Sequence, residues 1–249
     1  MGETPMYRLG RYYITTLCIG STLRLIGGRL RSGGDGGDAG AVFVWGAAVI
    51  PLLVAIAFLA GPAGSTLRRD FRRRLLDLRR VSFSTLPVFV FAMPFVVVVS
   101  TLVSLLIGEP IDQFQPVTES PVFRGAVLKP IDGAWGGLVG VVAAVAVEEA
   151  GWRGYLFARL QRRYRYITAS VVFGALVAVW YVPLFFVPGS YHYDTLQIGR
   201  LHAVAALIRP VPIAVLTGWV YAKNAESILA AVLFRVVVLL SDGVLAVTA

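Results

Sequence analysis

The stretch "GVVAAVAVEEAGWRGYLFARL", residues 140–160, sets two adjacent carboxylates and an arginine within an apolar run. A charged side chain at the centre of a membrane helix costs about 2.5–3.5 kcal/mol, so such residues are retained mainly where they are paired or functional. Glu148, Glu149 and Arg153 are therefore the first candidates for a buried ion pair or a functional site.

The composition around this stretch is that of a membrane protein. Of the 249 residues, 57% are hydrophobic and 15% are charged, whereas soluble domains carry about 25% charged residues. The mean hydropathy is +0.74. The formal net charge of +9 fits arginine-rich loops that orient membrane helices. No basic surface interleaved with aromatic residues accompanies that charge, so we expect the lipid bilayer and no nucleic acid as a partner.

Apolar segments long enough to cross a bilayer, about 20 residues each, recur along the chain. Seven candidate spans lie at about 10–28, 41–61, 84–108, 133–157, 167–187, 202–222 and 226–247. The sequence predicts an all-α fold, a polytopic helical membrane bundle of about seven transmembrane helices, with six to eight allowed. Residues 1–249 are expected to form a single integral membrane domain. Within it, 1–66 hold the N-terminal spans and a flexible Gly/Asp loop, and 67–249 form the core.

Two arginine-rich segments, residues 67–80 and 159–165, suggest how the chain is oriented. Two predicted spans separate them, so both segments can lie on one side of the membrane. Arginine-rich loops are enriched on the cytoplasmic side, and we therefore expect a multi-pass protein of the cell membrane with both segments cytoplasmic. An alternative for 67–80 is an amphipathic helix on the membrane surface, and both interpretations can hold together.

The charges at 148–153 divide into a pair and a single carboxylate. In a helix, Glu149 and Arg153 are four residues apart on one face and within pairing reach, whereas Glu148 points about 100° away. One interpretation is an ordinary ion pair at a helix end with Glu148 solvated among lipid headgroups. The other is functional, because a partly desolvated carboxylate inside a bundle is a candidate general base.

The pattern Glu-Glu-x-x-x-Arg followed by Gly-Tyr-Leu resembles the first motif of the CAAX-protease and bacteriocin-processing (CPBP, or Abi) family of intramembrane proteases. The supporting context includes "WYVPLFF" and "GWVYAKNAESILAAVLF" in the later spans. The resemblance implies a CAAX-protease-like core over 67–249 and a glutamate-dependent endopeptidase. In that family Glu148 would activate water and Glu149 and Arg153 would support the site. Two histidines and an asparagine on later helices would complete it.

The later motifs depart from this pattern. In "VAVWYVP", Tyr181 stands where the family has its first histidine. In "SILAAVLFRVVVLL", Arg235 stands at the second histidine and Leu239 at the asparagine. Tyrosine is a poor substitute for imidazole, and arginine stays protonated and cannot act as a base. We hypothesise that Arg235 forms an ion pair with Glu148. No cofactor is certain: the resemblance admits a divalent metal such as zinc, but most of its ligands are absent.

The sequence also predicts the positions of three further residues relative to the membrane. His192 in "SYHYD" is expected in a loop on the opposite side of the membrane from Glu148, and His202 at a membrane interface. Arg24 interrupts the first apolar segment and is expected to extend its side chain towards an interface.

The candidate site residues are therefore Glu148, Glu149, Arg153, Tyr181 and Arg235. The predicted function is that of a CAAX-type endopeptidase homologue that cleaves or binds membrane-proximal peptides or prenylated C-termini. Two states remain open: a degenerate site that has lost proteolysis, or a site in which Tyr181 and Arg235 donate hydrogen bonds to a carbonyl. The alternatives are a non-catalytic membrane scaffold that uses the same cavity and a small transporter.

Overall fold

Helices are the only regular secondary structure over the residues that the computed structural model describes, 6–33, 37–60, 64–108 and 134–244. In chain order the helices are α1 Met6–Ser32, α2 Gly37–Leu59, α3 Gly64–Leu76, α4 Leu86–Ile107, α5 Ala134–Gly151, α6 Ala158–Gln161, α7 Tyr166–Tyr181, α8 Tyr191–Ile198, α9 Arg200–Ile208, α10 Pro210–Lys223 and α11 Ile228–Val244. A π-helical segment, Trp152–Phe157, joins α5 to α6, and a 3₁₀ segment, Val182–Phe186, continues α7.

Three helical stretches are long and apolar enough to cross a membrane: Ala39–Leu59, Tyr166–Phe186 and Arg200–Lys223. Two shorter apolar helices, Leu86–Ser100 and Ile228–Ser241, coincide with further predicted spans. The predicted polytopic helical bundle is thus confirmed. The predicted count of seven spans stays a prediction, since α1 carries several arginines and residue 133, where the 133–157 span begins, lies outside the described residues.

The helix α5 lies between α2 and α11, and α10 packs against both α7 and α11. Close approach of α2 and α5 depends on Gly151, because a Cβ there would lie 2.4 Å from the backbone nitrogen of Leu52. Small residues allow helix backbones to meet in this way inside membranes. The charged motif of α5 therefore occupies the middle of the bundle.

The π-helical segment follows Gly151 directly, and a buried tyrosine of α1 binds at this junction. The Tyr12 hydroxyl lies 3.1 Å from the carbonyl oxygen of Gly151 and 3.0 Å from that of Pro51. Tyr12 thereby joins α1, α2 and α5. Short π-helical turns inside α-helices occur frequently at functional sites, and all six residues of this one are buried.

The arginine-rich segment 67–80 forms α3 and a short 3₁₀ turn, Leu78–Arg80. Phe71 and Arg74 are buried, whereas Leu76 and Leu78 are exposed. The helix thus contacts the bundle with one face and presents apolar and basic residues on the other, as an amphipathic surface helix does.

Candidate functional site

A cavity of about 370 Å³ lies between α1, α2, α5, α7, α10 and α11, within the size range of small-molecule sites. All five predicted site residues line it: Glu148, Glu149, Arg153, Tyr181 and Arg235. Residues up to 87 positions apart in the sequence are thus brought together around one space.

Glu149 is held between two arginines. Its Oε2 lies 2.8 Å from Nε of Arg153, and its Oε1 lies 3.1 Å from Nε of Arg235. The pair with Arg153, predicted from the four-residue spacing, is confirmed. Exposure of the side chains is 8% for Glu149 and 1% for Arg153, so this is a buried cluster in which each charge depends on its partner.

Glu148 faces α7 and is held by neutral donors. The Trp180 indole Nε1 donates to Oε1 at 3.0 Å, and the Tyr181 hydroxyl donates to Oε2 at 3.3 Å. Each carboxylate oxygen therefore accepts one hydrogen bond from α7. The hydrogen bond of Trp180 was missed from the sequence, although this tryptophan directly precedes Tyr181 in "VAVWYVP".

From the sequence we hypothesised that Arg235 forms an ion pair with Glu148. In the structure, Arg235 instead pairs with Glu149. The reason lies in helix geometry: successive residues of α5 turn by about 100°, so Glu149 faces α11 while Glu148 faces α7. Leu239, one turn after Arg235, also lines the cavity and has no side-chain donor to offer.

Arg24 does not extend to an interface, as the sequence suggested. It is 4% exposed, lines the cavity, and donates from Nη1 to the carbonyl oxygen of Trp180. Its guanidinium also lies 4.0 Å from the centroid of the Trp180 ring, close enough for a cation–π contact. The sequence signal was present, since an arginine inside an apolar helix is costly unless it has partners.

The sequence placed His192 in a loop across the membrane from Glu148, whereas the structure brings both residues to the wall of one cavity; the membrane side of His192 stays a prediction. His192 lines the same cavity, and its ring centroid lies 5.2 Å from that of Tyr181. Helix α8 folds back over the end of α7 and carries the histidine with it. Burial, followed by the nearby charges of Arg24 and Arg209, lowers the pKa of His192 from 6.5 to about 4. The imidazole is therefore neutral at pH 7. His202, by contrast, is exposed on α9.

The donor set of the cavity does not fit a zinc ion. Both oxygens of Glu149 bind arginines, and the guanidinium of Arg235 occupies a position where a ligand would be needed. Over the described residues, no three His, Cys, Asp or Glu side chains cluster closely enough to hold a metal. A guanidinium repels a cation, and we derive no chemistry through a metal.

Comparison with known proteins identifies the class. A model of the type II CAAX prenyl endopeptidase Rce1-like family matches residues 130–240, which include the charged motif of α5 and the facing parts of α7 and α11.

A curated relative extends the match beyond this core. The chain is 32% identical over 198 residues to CAAX prenyl protease 2 of Methanococcus maripaludis, and the alignment covers 80% of the chain and 70% of that protein. The chain therefore belongs to the CAAX prenyl protease family, and the resemblance inferred from the motif is confirmed.

Proposed function

We propose that the protein is a non-hydrolytic member of this family, which retains the fold and the central cavity to bind a membrane-associated ligand. One observation carries the proposal: Tyr181 and Arg235, which replace the two histidines of the family pattern, both contact the glutamate pair. Leu239 lines the cavity at the position of the asparagine. Prenylated peptide C-termini are the ligand class to which the family points.

The replacements remove specific chemical steps. Tyr181 directs its hydroxyl proton to Glu148, and a tyrosine hydroxyl does not exchange protons near pH 7 as imidazole does. Arg235 remains charged and is bound to Glu149. Leu239 cannot donate a hydrogen bond to a developing oxyanion, and loss of one such donor costs about 10²–10³ in kcat.

A second candidate, peptide hydrolysis, is favoured by a single feature. His192 supplies a neutral imidazole next to Tyr181, and such a ring could receive a proton during catalysis. In that case Glu148 would still activate water, and His192→Ala would abolish cleavage.

Hydrolysis of a fluorogenic farnesylated peptide by the purified protein separates the two candidates. The Methanococcus maripaludis relative serves as the positive control and Glu148→Ala as the matched negative control. We expect no difference between wild type and Glu148→Ala. Cleavage by the wild type that disappears in Glu148→Ala would refute the non-hydrolytic proposal.

A triple variant tests whether Tyr181, Arg235 and Leu239 account for the proposed loss of peptide hydrolysis. We expect Tyr181→His, Arg235→His and Leu239→Asn together to produce measurable cleavage that depends on Glu148. If the triple variant folds and stays inactive, other parts of the site have also changed.

We further propose that the protein is a multi-pass protein of the cell membrane with residues 67–80 and 159–165 on the cytoplasmic side. The charge of these segments supports this orientation. In a Cys18→Ser background, a cysteine at exposed Arg163 should resist an impermeant thiol reagent added to intact cells, and one at exposed Asp194 should react. The reverse pattern would invert the topology.

A further inference from the structure

Helix α3 presents a row of arginines on the side that faces away from the bundle. Arg69, Arg72, Arg73 and Leu76 are all exposed. Their spacing of three and four residues places them on one face of an α-helix. The outer face of α3 is therefore a strip of positive charge that ends in an exposed apolar side chain.

The inner face of α3 is fixed to the bundle by two contacts. The Phe71 ring packs on Gly154 of the π-helical segment so closely that a Cβ there would lie 2.1 Å from it. Arg74 donates from Nη1 to the Tyr221 hydroxyl of α10 at 2.8 Å. The helix cannot rotate about its axis without breaking both contacts, so its row of arginines is held outward.

A hydrogen bond to α2 sets the depth of α3 in the membrane. Nη1 of Arg68 donates to the carbonyl oxygen of Leu59 at 3.0 Å. Leu59 is the last residue of a stretch that is long and apolar enough to cross a membrane. Because the length of such a stretch matches the hydrocarbon core of the bilayer, lipid headgroups begin where it ends. Helix α3 therefore lies at the depth of the headgroups.

The second arginine-rich segment, residues 159–165, comes to the same end of the bundle. It directly precedes another membrane-spanning stretch, Tyr166–Phe186. Within it, Arg162 lines one small crevice together with Leu59 and with Arg74 of α3. The exposed arginines of the two segments thus form one basic surface, which consists of Arg69, Arg72, Arg73, Arg162, Arg163 and Arg165.

The basic surface has no acidic partners among the described residues. The carboxylates beside α3 face other arginines: Asp70 and Glu226 lie 2.8 Å and 3.9 Å from Arg74, and Asp77 lies 3.5 Å from Arg80. No ion pair within the described part of the chain includes an arginine of the basic surface. Clustered guanidinium groups without carboxylate partners attract anions from outside the protein.

We propose that the basic surface binds the headgroups of anionic phospholipids in the surrounding bilayer, while Leu76 and Leu78 contact the acyl chains. These leucines are 66% and 72% exposed. Clusters of about four to eight basic residues beside a membrane helix or on an amphipathic helix favour anionic lipids, and exposed leucines add apolar contact at the same depth. The surface lies outside the cavity, so the proposal does not depend on what the cavity binds or hydrolyses.

Native mass spectrometry of the full chain in a neutral detergent tests the proposal, because it counts the lipids that stay bound. The probes are dioctanoyl phosphatidylglycerol, which is anionic, and dioctanoyl phosphatidylcholine, which has the same chains and no net charge. Phosphatidylglycerol should bind at least about tenfold more tightly, and its affinity should fall as the salt concentration rises from about 0.1 to 1 M. Equal affinities for the two lipids, or a preference that salt leaves unchanged, would overturn the proposal.

Inorganic phosphate distinguishes a lipid site from a simple anion site. It carries the charge of the headgroup but has no chains to contact Leu76 and Leu78. At the concentration of the lipid it should not displace phosphatidylglycerol. Displacement at equal concentration would overturn the assignment to a lipid.

Arginine variants locate the binding surface. Arg72→Gln combined with Arg73→Gln should weaken phosphatidylglycerol binding by about fivefold for each arginine removed, and should leave phosphatidylcholine binding unchanged. The matched control combines Arg29→Gln with Arg200→Gln, which removes two exposed arginines from the end of α1 and the start of α9. Equal phosphatidylglycerol affinities of the two double variants would overturn the proposal.

A second pair tests whether the two segments act as one surface. Arg162→Gln combined with Arg163→Gln should also weaken phosphatidylglycerol binding about fivefold or more, and it replaces the α3 pair if that variant is poorly folded. Both positions are exposed. An affinity equal to that of the Arg29 and Arg200 control would separate residues 159–165 from the lipid site and overturn the proposal of a joint surface.

Discussion

The cavity has two kinds of wall, and they match the expected family pattern to different degrees. The wall of α5 and the π-helical segment carries Glu148, Glu149 and Arg153, which match the first motif. The facing wall of α7 and α11 carries Tyr181, Arg235 and Leu239, where the resemblance to the family predicts two histidines and an asparagine. Each replacement still lies at the cavity, and two of them contact the retained glutamates.

The difference between the walls separates structural from catalytic requirements. Removing Glu149 would leave the buried Arg153 without its ion-pair partner, so we expect this residue to be needed for folding whether or not the protein hydrolyses peptides. The histidines carry no such structural role here, because tyrosine and arginine fit in their positions. A role in stabilising the fold is thus sufficient to explain why Glu149 and Arg153 of the motif are present.

The largest effect is expected from Glu149→Ala. Removing this carboxylate leaves the buried Arg153 without its ion-pair partner, at a cost of about 3–5 kcal/mol. The variant should accumulate poorly in membranes, which quantitative immunoblotting against Glu148→Gln would measure. Normal accumulation and an unchanged Tm would show that the retained motif is not needed for the fold.

An intermediate effect is expected from Arg235→Met. Arg235 is 21% exposed and Glu149 keeps its pair with Arg153, so we expect a loss of about 1–3 kcal/mol, the cost of leaving one buried carboxylate oxygen without its partner. The Tm of the purified variant should fall between those of Glu149→Ala and the wild type. A higher Tm than the wild type would mean that the arginine of the α11 wall destabilises the site.

A smaller effect is expected on the α7 wall from Tyr181→Phe. The change removes the hydroxyl that donates to Glu148 and keeps the ring against His192. One neutral hydrogen bond contributes about 0.5–1.5 kcal/mol, so Tm should fall by a few degrees at most. Trp180→Phe, which removes the other donor to Glu148, gives a matched comparison. A fall in Tm as large as that of Glu149→Ala would contradict the assignment of Tyr181 as the donor of one neutral hydrogen bond to Glu148.

The smallest effect at pH 7 is expected from His192→Gln, with a larger one in acid. The pKa of His192 in the folded protein, about 4, lies below its ordinary value of 6.5. The unfolded chain therefore takes up this proton at higher pH than the folded chain does. Stability from this group is present above about pH 6.5 and is lost as the pH falls towards 4.

The measurement is the Tm of both proteins between pH 7.5 and about 4.5. His192→Gln should lose less stability over this range than the wild type does. Parallel curves would show that His192 is not shielded from protonation in the cavity.

Local geometry explains which parts of the site could be predicted from the sequence. The Glu149–Arg153 pair follows from a spacing of four residues in one helix. The alignment of the motifs also brought Tyr181 and Arg235 to the site. The exact partner of Arg235 depends on which face of α5 meets α11, and the sequence does not give that rotation.

Long-range packing explains what was missed. Arg24 reaches the cavity because α1 packs close to α7, which brings the guanidinium of Arg24 against Trp180. His192 reaches it because α8 folds back over the end of α7. Neither contact has a periodic sequence signal. A buried arginine and an isolated histidine remain compatible with several positions until the helices are arranged.

The π-helical segment Trp152–Phe157 has a consequence for how this chain tolerates insertions and deletions. A π-helical turn contains about one residue more than an α-helical turn. Deleting one residue there would allow a continuous α-helix from α5 through α6. It would also turn the glutamates by about 100° relative to Arg159 and the residues that follow. Length changes at this point would thus dismantle the cavity without breaking a helix.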